Sequence, residues 1–98
     1  MIEDTSKIII DSRHNNNLIP DLENNMPKNV EEAYLIQDEV VKSFNYNSIG
    51  WKVGCTTEMA QKFSGMTEPF SGIMFDETTF LSSNLDIRCI MNKPIIEP

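Results

Sequence analysis

The stretch Ser48-Ile49-Gly50-Trp51-Lys52-Val53-Gly54 constrains this chain more than any other. It alternates strictly. Ile49, Trp51 and Val53 project one way along an extended backbone, and Gly50, Lys52 and Gly54 project the other. One face is therefore apolar and aromatic and calls for cover. The other carries a lone cation between glycines. Glycine weakens a strand, so two of them flanking one lysine call for a reason. Missing side chains leave room for a ligand to reach the ammonium, which can pair with a carboxylate or stabilise a developing enolate. An exposed strand lysine beside two turn glycines accounts for the same letters. The residues alone leave both readings open.

Around this strand the pattern is that of a small mixed domain. The 98 residues provide for one domain, and 40% hydrophobic with 23% charged residues is ordinary globular composition. Residues 3–13 read as a first helix with Ile8, Ile9 and Ile10 as its apolar patch, followed by an Asn-rich loop through Pro20 to Asn25. Asn29-Val30-Glu31-Glu32 has the form of a helix start, a capping Asn with Glu at the third helical position. From there Val30, Ala33, Tyr34, Val40, Val41 and Phe44 recur at helical spacing, and the helix is expected to end near Asn45.

After the lysine strand, Thr56 or Thr57 can cap a short helix carrying Met59, Ala60 and Phe63, which Ser64-Gly65 ends. Met66 to Ser71 reads as an extended loop containing Glu68-Pro69. Gly72 to Phe75 reads as a strand, Asp76-Glu77 as a turn, and Thr78 to Leu81 as a further strand. Leu85, Ile87 and Cys89 alternate with Asp86 and Arg88. The fold class expected is α+β, helices packed on a small mixed sheet.

Charge and cysteine usage exclude several classes. A net charge of −7 argues against a nucleic-acid surface, which requires clustered Lys and Arg. No apolar run reaches the ~20 residues of a membrane-spanning helix. The acidic opening MIEDTSKIII does not have the form of a signal peptide. A cytoplasmic location is expected, and Cys55 and Cys89 then read as free thiols. A nucleophilic Cys55 would need His14, the sole histidine, which sits in the polar run His14-Asn15-Asn16-Asn17 where a loop is expected. A buried small hydrophobe is the commoner fate of a cysteine.

Taken in order, Ala33-Tyr34-Leu35-Ile36-Gln37, Gly50-Trp51-Lys52-Val53-Gly54-Cys55-Thr56, Glu68-Pro69-Phe70-Ser71-Gly72 and Ile96-Glu97-Pro98 resemble the amino-terminal part of the 2-keto-4-pentenoate hydratase family, within the fumarylacetoacetate hydrolase superfamily. The resemblance implies that residues 1–98 form the amino-terminal portion of a β-rich hydratase domain, ahead of its catalytic core. It implies Mg²⁺ or Mn²⁺ bound through a Glu-x-Glu pair and a third acidic residue, with Glu97 as the first Glu and the others downstream. It implies a catalytic role for Lys52, substrate contacts around Gly72 and Met74, and a small 2-keto acid substrate. The implied reaction is addition of water to 2-hydroxy-penta-2,4-dienoate in aromatic-compound catabolism, by an enzyme that is commonly oligomeric. Members of the family often carry an acidic residue where this chain has Phe70. That departure keeps open acylpyruvate hydrolysis or oxalocrotonate-type decarboxylation on the same scaffold. An inactive remnant or a small interaction domain is the alternative of another class.

Overall fold

A computed structural model describes residues 2–82 together with Asp86, Lys93, Ile95 and Glu97. The chain is a small α+β protein. Its described residues form helices α1 (Ile2–His14), α2 (Val30–Ser43) and α3 (Glu58–Ser64) and strands β1 (Ser48–Gly54) and β2 (Phe70–Phe75). They divide into two compact units, one built on Met1–Asn45 and one on Tyr46–Leu81.

In the first unit α1 packs on α2. Acidic Glu3 and Asp4 open α1 and basic Arg13 and His14 close it, matching the helix dipole at both ends. The helix runs through His14, one residue past the expected end, and the imidazole stacks on the Phe44 ring with centroids 4.8 Å apart. The buried face of α1 is made of short hydroxyl side chains, Thr5, Ser6 and Ser12. The isoleucine run is only half-buried.

Each hydroxyl is satisfied inside the unit. Thr5 donates to the Asn25 carbonyl at 2.6 Å, Ser6 to Ile2 at 2.7 Å and Ser12 to Ile8 at 2.8 Å. These bonds remove the penalty that burying polar atoms would otherwise carry. The Thr5 bond also ties α1 to the 3₁₀ turn at Glu23–Asn25.

The start of α2 is capped as its sequence implies. Asn29 Oδ1 accepts from the Glu32 N–H at 2.8 Å, while Glu32 Oε2 reaches back to the Lys28 N–H at 2.9 Å. The reciprocal bond thus lands one residue earlier than in the standard capping box. The apolar residues that α2 buries are Ile36 and Val40, one helical turn apart. Val30 and Ala33 are exposed, so the core stripe is rotated from the one expected. Tyr34-Leu35-Ile36 is a continuous apolar run, and periodicity cannot say which of its members faces inward.

In the second unit β1 and β2 form an antiparallel pair, β1-β2, joined through α3. The small sheet is therefore antiparallel throughout its described part. Thr57 caps α3 by accepting from the Ala60 N–H at 3.1 Å, and Gly65 ends it with φ 68°, in the left-handed region that glycine enters at least cost. Strand β2 begins at Phe70, two residues earlier than expected, and stops at the 3₁₀ turn Asp76–Thr78. The strand expected over Thr78 to Leu81 does not form. Instead Thr79 Oγ1 donates back to the Phe75 carbonyl at 2.7 Å, which folds the chain into the turn. The alternation read at Leu85 to Cys89 lies outside the described residues, apart from Asp86.

Candidate functional site

Register decides which residues meet. Lys52 pairs with Gly72, Gly50 with Met74, and Gly54 with Phe70. Directly paired residues in an antiparallel ladder share a face. Gly50, Lys52 and Gly54 therefore lie on one side of the sheet together with Phe70, Gly72 and Met74. Lys52 has glycine before it, after it and across from it at alternate positions. On that face the floor around the lysine is bare backbone, bounded diagonally by Phe70 and Met74.

The glycines are not equivalent. A Cβ at Gly54 would lie 2.9 Å from Cε2 and 3.1 Å from Cζ of Phe70, so the ring rests on the glycine backbone. A Cβ at Gly50 would meet nothing within 4 Å. One glycine admits an aromatic ring and the other leaves open space beside Lys52. Phe70 retains 46% and Met74 37% of its surface exposed, so both walls offer apolar area to a ligand.

The opposite face holds Trp51 and Val53 with Ser71 and Ile73. Trp51 is 62% exposed and Val53 55%. A bulge between Ser48 and Gly50 sets two residues of β1 against one of β2, so regular alternation begins at Gly50 and Ile49 falls outside it.

Both ends of the strand pair are fastened. At one end Asn47 donates to the Asp76 carboxylate from its backbone at 3.2 Å and from its side chain at 3.1 Å. The Asp76 N–H returns a bond to the Asn47 carbonyl at 3.0 Å. Hydrogen bonding from the Asn47 side chain is the largest cause holding the Asp76 carboxyl below the ordinary carboxylate value. At the other end Cys55 follows Gly54 with φ 58°, left-handed backbone for a non-glycine residue, and its carbonyl accepts from Gln61 Nε2 at 3.0 Å.

Of the four site residues expected from sequence, the sheet gathers three, Lys52, Gly72 and Met74, on one face. Glu97 is exposed, outside the helices and strands, and groups with the first unit. Among the described residues no group of three His, Cys, Asp or Glu side chains is placed to hold a metal ion. Glu97 alone supplies one carboxylate, and Mg²⁺ requires several oxygen ligands. The described residues alone do not complete a site for the ion. His14 belongs to the first unit, where its ring stacks on Phe44, and Cys55 to the second, where its backbone carbonyl accepts from Gln61 Nε2. Two features of the site escaped the sequence reading. Phe70 was taken into a loop because Pro69 precedes it, although the parity of 70, 72 and 74 would have put it on the glycine face. The Asn47–Asp76 pairing joins residues 29 positions apart, and no local signal announces it.

No helix among the described residues is long and apolar enough to cross a membrane. No family model matches the sequence, and neither a curated protein nor a solved structure matches it. What the fold and the site define is a small α+β chain with a cationic, glycine-floored sheet face.

Proposed function

We propose that this chain is the amino-terminal portion of a hydratase acting on 2-hydroxy-penta-2,4-dienoate or a related 2-keto acid. One observation carries the reading: Lys52 lies directly across the strand pair from Gly72. These residues come from two separate segments that resemble the hydratase family, and the sheet register makes them one surface. Lys52 supplies positive charge to a substrate carboxylate or to the enolate that develops as a proton moves. The glycines let the substrate approach the backbone closely enough to use that charge. Mg²⁺ or Mn²⁺ belongs to the proposal as the family's Lewis acid, with Glu97 as one of its ligands. No step is assigned to the ion.

The test is loss of dienoate absorbance in the presence of Mg²⁺, for the 98-residue chain and for a form extended through the downstream coding sequence. Turnover in the extended form that Lys52→Met lowers by roughly 10- to 100-fold supports the reading. Absence of turnover in both forms overturns it.

A second reading has its own observation. Phe70 stands where the family often has a carboxylate, and its ring lies on Gly54 rather than presenting a base to water. This favours an oxalocrotonate-type decarboxylase, whose reaction needs no activated water, on the same scaffold; acylpyruvate hydrolysis is the other alternative and requires a base from elsewhere. Product analysis with acylpyruvate and oxalocrotonate in the same assay separates the three reactions.

A further inference from the structure

From the walls of the lysine face we infer that Phe70 and Met74 are specificity-determining residues. They select an anion carrying a flat apolar body over one without it. The inference rests on the reading of Lys52 as a substrate contact and adds the chemical class of what sits beside it. Phe70 pairs with Gly54 and Met74 with Gly50, so both stand diagonal to Lys52 on its own face. Diagonal neighbours in a ladder lie about 7–8 Å apart, within reach of long and aromatic side chains. An anionic group held at the lysine therefore has its body beside the Phe70 ring or in the open space beside Gly50.

Three properties of the face point the same way. The ring lies against Gly54, its edge 2.9 Å from where a Cβ there would stand. It is half-exposed, so it has surface left to give to a ligand. Beside Gly50 there is open space where a side chain would otherwise stand. An aromatic ring with exposed surface offers stacking to a planar group, and Met74 offers a polarizable apolar contact that adapts to its shape. Neither segment places an acidic side chain on this face, so nothing on β1 or β2 repels the anion.

The experiment is an amide-NMR titration of the 98-residue chain with pyruvate and with phenylpyruvate, two 2-keto acids that differ by a flat aromatic ring. Phenylpyruvate is expected to bind about tenfold more tightly, the scale of one aromatic contact added to a common anionic anchor. Its shifts are expected at Lys52, Phe70, Gly72 and Met74. Phe70→Ala brings the ratio of the two affinities toward one, Phe70→Leu restores part of it, and Lys52→Met removes binding of both acids. If Phe70→Ala fails to fold, Met74→Ala is read for the same loss of ratio. Equal affinities in the unaltered protein, with binding of both lost in Lys52→Met, overturn the inference and leave the lysine reading standing. Binding that Lys52→Met does not weaken, shifts confined to the Trp51 face, or no binding of either acid overturn both.

Discussion

Lys52 on β1 and Gly72 on β2 are cross-strand partners, so the lysine of one segment stands beside a residue without a side chain on the other. A side chain at position 72 would rise beside the lysine on the same face. Gly72→Val is therefore expected to lower turnover of the extended enzyme by about tenfold or more by crowding the substrate position. Lys52→Met removes one charge-assisted contact of about 1.5–3 kcal/mol, a loss of roughly 10- to 100-fold in kcat/KM. Steady-state kinetics of the two variants checks both values, and circular dichroism checks that the fold is kept.

Gly54 and Gly50 respond oppositely to the same substitution. Gly54→Ala sets a methyl 2.9 Å from the outer edge of the half-exposed Phe70 ring, which has room to swing aside, and is expected to cost at most about 1 kcal/mol. Gly50→Ala enters open space and is expected to be neutral or to stabilise by up to about 1 kcal/mol through the unfolded chain. Urea denaturation measures both, and adding Phe70→Leu to Gly54→Ala is expected to recover part of the loss.

Thr5 is 1% exposed and donates to the Asn25 carbonyl. Thr5→Val keeps the shape and deletes the donor, leaving that carbonyl without its bond from Thr5. The expected loss is about 1–3 kcal/mol, read from the urea midpoint. Thr5→Ser, which keeps the donor, is expected to lose less.

Asp76 gives the strand pair an acid-sensitive fastening. Its folded-state pKa is lowered, chiefly by the Asn47 side chain. The stabilisation it adds is therefore present above the unfolded value and is lost as pH falls through the folded value, below about pH 4. Asp76→Asn is expected to flatten that acid limb between pH 5 and 2 while changing little in the slope near neutrality. Chemical denaturation across the pH series checks it, and an unchanged acid limb would refute the assignment.

Asn29 holds the N–H of Glu32 at the start of α2. Asn29→Ala is expected to cost about 1 kcal/mol, and Asn29→Asp to be close to neutral. Helical circular dichroism against temperature distinguishes the two.

Where local chemistry sets structure, the sequence was enough. Asn29 capping α2, a threonine at 56 or 57 capping α3 (Thr57 in the structure), Gly65 ending it and the span Ser48–Gly54 all depend on residues within a few positions of each other. The face carrying Lys52 between glycines was legible for the same reason, since a strand alternates by geometry. Three things were decided only by long-range packing. Ile36 rather than Tyr34 became the inner residue of α2, because the partner helix, not the period, selects among consecutive apolar residues. The bulge at Ser48–Gly50 took Ile49 out of the alternation, because pairing with β2 is a property of two segments. The register that sets Lys52 opposite Gly72 and Phe70 upon Gly54 follows from cross-strand contacts and from the Asn47–Asp76 bonds at the end of the ladder. A sequence can therefore name the lysine and its glycines, but only the tertiary structure gives the lysine its neighbours. Local bonds act between residues the chain already holds close, whereas register is set by which distant side chains fit against one another.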